Sequence, residues 1–154
     1  MKISTCMIAL LAIAIATPLF AAEDHGQHQM HHGELTLDHG AKWATDEPLR
    51  AGMEQIRSAM ALNLERIHRM EQTTSEYTAL ATTIRQQVNT IVTQCKLKPE
   101  ADANLHIIIA DLLSGADAMQ GKGDAAQTSG AHQIIEALHT YGAHFNHPGW
   151  RNLP

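Results

Sequence analysis

Cysteine is nearly missing from this chain, which carries only Cys6 and Cys95, and aromatic residues make up just 4% of its 154 positions. It contains no glycine-rich phosphate loop. It also lacks Cys-x-x-Cys-His, which excludes covalently attached c-type haem. No Ser/His/Asp or Cys/His/Asn constellation stands out, so no feature of the sequence supports an enzyme. Lys and Arg number 11 against 16 Asp and Glu, for a formal charge of −5. Phosphate backbones want clustered Lys and Arg, so this balance argues against nucleic acid as a partner. Long stretches lack the β-branched alternation of strands, whereas Ala, Leu, Met, Glu and Gln dominate and favour helices.

The longest apolar run lies at the start. Lys2 gives a positive beginning, Met7 to Leu19 is apolar apart from Thr17 and Pro18, and small residues follow at Ala21 and Ala22. This pattern predicts a cleaved export signal over residues 1–22. It is too short for an ordinary membrane span, and no later run reaches the roughly 20 apolar residues that one requires. The expected mature protein is therefore not membrane-spanning, and it lies outside the cytoplasm, in a bacterial periplasm. Lys2 leaves with the signal and no acidic residue does, so the formal charge moves from −5 to −6. About 130 residues remain, enough for one domain of ordinary size. Cys95 is then the single thiol and has no partner for an intramolecular disulfide.

Histidine is abundant: there are 11, five of them between His25 and His39. The run Glu23-Asp24-His25-Gly26-Gln27-His28-Gln29-Met30-His31-His32 spaces imidazoles around a thioether. Short tracts of this kind bind metals, and neutral imidazole needs no deprotonation to do so. Residues 23–43 show no apolar periodicity, so a flexible His-rich tail is expected there. His25, His28, Met30, His31, His32 and His39 are its candidate ligands. Cleavage after Ala22 would leave a free amine two residues before His25, an arrangement suited to square-planar Cu(II) or Ni(II). The plain alternative is a solvated tail that binds metal weakly, because ordering a mobile segment costs entropy.

Residues 44–154 read as four amphipathic helices. Thr45 is a good N-cap for the first, with Pro48 tolerated in its first turn. Leu49, Met53, Ile56, Met60, Leu64, Ile67 and Met70 then recur at steps of three and four, one apolar stripe. Thr73 and Glu76 have capping-box spacing for a second helix, whose stripe runs Tyr77, Leu80, Ile84, Val88, Ile91 or Val92, and Cys95. Pro99 and Glu100 open a third, which Gly121-Lys122-Gly123 stops. The fourth spans roughly residues 125–145, with Ile134, Ile135, Leu138, Tyr141 and Phe145 inward. Equal lengths and short polar links predict an all-α, up-down-up-down four-helix bundle.

Within that domain, Cys95 falls on an apolar stripe and reads either as a small core residue or as a soft metal ligand. His106 borders the third helix's buried face, as a hydrogen-bonding histidine or a ligand. An axial offset of about two turns argues against Cys95 and His106 sharing an ion. His132 and His139 are about 10 Å apart along their helix, too far for one metal without a third element between them. His144 and His147 form a closer pair near the helix end, serving as a cap or as metal ligands.

Two resemblances follow from these residues. The helix with Met53 early in its stripe, the Pro99-Glu100 opening with His106 after it, and Tyr141 near His144 are similar to cytochrome b562-like four-helix bundles. That resemblance implies non-covalent haem b between Met53 and His144, for electron transfer or sensing. In that family the histidine directly follows the tyrosine, whereas here Gly142 does. Trp43-Ala44-Thr45-Asp46-Glu47-Pro48-Leu49-Arg50, Cys95-Lys96-Leu97-Lys98-Pro99-Glu100 and Phe145-Asn146-His147-Pro148-Gly149-Trp150 resemble a group of small exported proteobacterial proteins. These have a His-rich leader before a helical domain, and some carry the label DnrO-like. The resemblance implies export and a helical bundle, and supplies no activity. The expected function is transition-metal binding, with copper first and zinc or nickel behind it. A haem-binding bundle and a structural adaptor for an envelope protein are the alternatives.

Overall fold

The computed structural model of the protein describes residues 34–154. The export signal and the ligands His25, His28, Met30, His31 and His32 lie outside the described residues. Helices α1 (Glu47–His68), α2 (Thr74–Gln94), α3 (Pro99–Met119) and α4 (Gln127–His144) pack around one apolar core, flanked by the short strands β1 (Trp43–Ala44) and β2 (Phe145–Asn146). None of these helices is long and apolar enough to cross a membrane.

Local chemistry fixes the helix ends. Asp46, not Thr45, caps α1, its carboxylate accepting from the Leu49 amide at 3.0 Å. Its second oxygen accepts the Lys96 amide at 2.5 Å, which ties the start of α1 to the end of α2. Thr45 is diverted because its hydroxyl donates to the Asn146 carbonyl at 2.7 Å. The Thr73–Glu76 capping box of α2 forms as its spacing predicts. Arg66 from α1 also grips Glu76, and together with the cap it holds that carboxyl down to about 2. Cys95, the last residue of the expected stripe, is the C-cap of α2 and packs half-buried against the edge of the core.

The apolar stripes become the core largely as spaced. Leu49, Met53, Ile56, Met60, Leu64 and Ile67 are buried on α1, and Ile91 rather than Val92 takes the last core position of α2. Met70 does not join them and is 79% exposed, because α1 stops two residues earlier. Each fully buried aliphatic side chain contributes about 1.5–3 kcal/mol, so these stripes provide most of the driving force.

The four helix–helix seams differ. Between α3 and α4 the backbones touch through Gly115 and Gly130, and a Cβ on Gly130 would lie 2.5 Å from the Gly115 carbonyl oxygen. Arg85 pairs with Asp117 across α2 and α3. The seam between α1 and α4 is the sparsest of the four. It is closed at one end by β1 and β2, which pair in parallel with Trp43 opposite Phe145 and Ala44 opposite Asn146.

A strap leads into that clamp. The sequence places residues 23–43 in a flexible tail, yet residues 35–43 lie against the helices. Asp38 and Ala41 exchange backbone hydrogen bonds of 2.8 and 2.9 Å around His39 and Gly40, both at positive φ, a two-residue hairpin turn. Thr36 donates its amide to Asn104 Oδ1 at 2.7 Å and accepts the Trp43 indole N–H at 2.7 Å. Lys42 reaches the Gly142 carbonyl at 2.5 Å. The strap escapes periodicity arguments because its ties are polar and turn-based, with Trp43 as its single buried anchor.

The glycine contact yields a direct expectation. Gly130→Ala gains helix propensity but drives a methyl into α3 backbone, so net destabilisation of about 1–3 kcal/mol is expected from chemical denaturation. An unchanged midpoint would mean that the α3–α4 approach is looser than described.

Candidate metal centre

The expected ligands of the helical domain are dispersed. His39 sits fully exposed on the strap turn, 4.0 Å from Asp38 Oδ1. His106 is exposed on α3 and hydrogen-bonds the Asp102 carbonyl of its own helix at 2.8 Å through Nδ1. The Cys95 thiol is pushed up by burial and by the nearby carboxylates Asp46 and Asp102, which disfavours the thiolate that a metal needs. Met53 is fully enclosed, so an ion or haem reaching its sulfur has to displace core side chains.

His144 and His147, three residues apart, have separate partners. His144 donates through Nδ1 to the Thr140 carbonyl at 2.8 Å. His147 belongs instead to an aromatic cluster at the clamp. Tyr141 stacks on Phe145 at 5.3 Å and meets Trp150 edge-on at 4.8 Å, while the His147 ring lies 5.0 Å from Trp150. The Tyr141 hydroxyl lies 3.0 Å from His147 Nδ1 and donates to it when the ring is neutral. Burial pushes the Tyr141 phenol strongly up, so it remains a donor. Burial also lowers His147, with Arg50 and Arg57 adding to the effect and Glu54 and Glu47 opposing it. Gly142 serves this cluster, because a Cβ there would come within 2.5 Å of Trp150 Nε1.

The opposite end of the α1–α4 seam holds histidines of another kind. His68, in the last turn of α1, faces His132 of α4 with ring centroids 6.3 Å apart and planes at 89°. Both rings are exposed, and among the described residues neither takes a hydrogen bond. They line two adjoining hollows. Glu136, His139 and Pro154 share one, and Ile67, Met70 and Thr128 share the other. His139 is engaged, with its Nε2 donating to the Leu153 carbonyl at 2.9 Å.

His68 had no distinguishing local signal in the sequence, since it lies one residue past the buried Ile67 and off the apolar stripe. Its significance comes from α4 crossing near the end of α1. That contact pairs His132 with His68 and leaves His139 with its own partner. Among the described residues no group of three or more His, Cys, Asp or Glu is arranged to hold a metal. The chain matches no family model, no curated protein and no solved structure.

His147 yields a pH prediction. Its folded value lies below the unfolded one, so its contribution is full above about pH 6.5 and is lost as pH falls toward the folded value. The urea midpoint should drop between pH 7.5 and pH 5.5 in the wild type, and His147→Asn should flatten that slope. A slope unchanged by His147→Asn would remove the aromatic cluster as its source.

Proposed function

We propose that this is an exported, periplasmic protein without enzymatic activity that sequesters or passes on a transition metal, copper first and zinc or nickel behind it. The observation that carries the reading is the histidine run itself, with four imidazoles and the Met30 thioether between His25 and His32. Imidazole suits copper, nickel and zinc, and the thioether adds affinity for copper in its reduced state. The leader would capture the ion, and the helical domain would hold the leader at a fixed place in the envelope. For that domain we retain the up-down-up-down bundle. Supporting it are the short links and the meeting of ends through Asp46 with Lys96, Arg66 with Glu76, and Gly115 with Gly130.

A second reading, an adaptor for an envelope protein, is favoured by Leu62, which is 86% exposed beside a hollow between α1 and α2. Haem has no comparable support, because Met53 is sealed in the core.

Copper titration of the full chain tests the leader. Replacing His25, His28, His31 and His32 together with Asn should remove at least one Cu(II) equivalent, or weaken binding at least tenfold. Equal stoichiometry and affinity in both proteins would end the role assigned to the run.

A further inference from the structure

We propose that His68, His132 and Met70 form a Cu(I) site on the helical domain, at the end of the α1–α4 seam away from the clamp. It goes beyond the leader reading and can fail without it.

The two imidazoles come first. With metal–nitrogen bonds of about 2.0 Å, two rings sharing one ion have centroids about 5–6.5 Å apart. The observed 6.3 Å lies at the upper end of that span and corresponds to a nearly linear N–metal–N arrangement. Because neither ring takes a hydrogen bond among the described residues, binding does not require breaking one. His68 lies in the last turn of α1 and His132 in the second turn of α4, so the core sets both backbones and the ion has only side-chain rotamers to order.

Met70 supplies the independent observation. The end of α1 is a Schellman motif: the Met70 amide donates to the Ile67 carbonyl at 3.0 Å and the Glu71 amide to the Arg66 carbonyl at 2.9 Å. Met70 is the left-handed residue of that motif, at φ 55°, a position that favours glycine. A side chain there is disfavoured, because its Cβ crowds the following carbonyl. Methionine recovers nothing through burial, since it is 79% exposed. Helix termination therefore explains the backbone and leaves the thioether unexplained. Met70 lines the same hollow, of about 320 Å³, as His68 and His132.

The donor set selects the ion. Two neutral nitrogens and one thioether, with no carboxylate in that hollow, are soft ligands that favour Cu(I). Zinc prefers four ligands drawn from Cys, His and carboxylates, and no such group exists among the described residues. An ion held here would also join α1 to α4 where their seam has no clamp.

The test uses the full chain with the leader silenced (His25, His28, His31 and His32→Asn, Met30→Leu), titrated anaerobically with Cu(I) against a chromophoric Cu(I) chelator. One Cu(I) per chain is expected, with a Cu–S shell in X-ray absorption. Adding His132→Asn should weaken binding at least thirtyfold. Adding Met70→Gly should weaken it at least tenfold and remove the Cu–S shell, while raising the melting temperature of the metal-free protein. All three positions are exposed, so helical circular dichroism should be retained. Absence of Cu(I) uptake by the leader-silenced chain overturns the site. So does undiminished affinity after His132→Asn, or a Cu–S shell that survives Met70→Gly. The leader is judged separately, from the difference between wild type and leader-silenced protein.

Discussion

The α1–α4 seam is where this fold has to be closed, and the apolar core alone does little to close it. Helices α1, α2, α3 and α4 are joined in sequence by short links, so each neighbouring pair is held by connectivity as well as by packing. The first and last helices have no such link. Their seam is sparse, and the chain compensates with a two-strand clamp, the Lys42 and Thr45 side chains, and an aromatic cluster in which Tyr141 and Phe145 are fully buried. The placement of the strap, of Gly142 and of Trp150 follows from that requirement.

The clamp also sorts the histidines. At the clamped end, imidazole serves structure, with His147 packed against Tyr141 and Trp150 and His144 bonded to its own helix. At the other end, His68 and His132 face each other on the surface without partners among the described residues, next to a methionine in a glycine conformation. The same residue type thus has two environments in one seam. Only the second brings two imidazoles without hydrogen-bond partners among the described residues face to face. A leader that captures copper and a seam site suited to Cu(I) would together give one chain ligands for both oxidation states.

Much of the helical architecture was legible in the sequence, because apolar residues at steps of three and four, the Thr73–Glu76 box and Pro99 encode local structure directly. The boundaries were less so. Asp46 displaced Thr45 as a cap because Asn146, distant in sequence, claims the Thr45 hydroxyl. Met70 continues the apolar spacing and nevertheless lies outside the core, since periodicity does not reveal where a Schellman turn ends a helix. The strap carries no such signal, because a two-residue turn and a side-chain amide hold it, and neither leaves a periodic trace. The expected pair His144 and His147 is close in sequence, and the fold gives each ring its own hydrogen-bond partner. His68 and His132, 64 positions apart in sequence, become neighbours only through the fold.

Amide hydrogen exchange along α1 in the metal-free protein tests most directly whether this seam is fastened at one end. The amides of residues 60–64, toward His68, should exchange at least tenfold faster than those of residues 53–56, toward the clamp. Uniform protection along both stretches would contradict the account, because the seam would then be closed along its whole length without help from strap or ion.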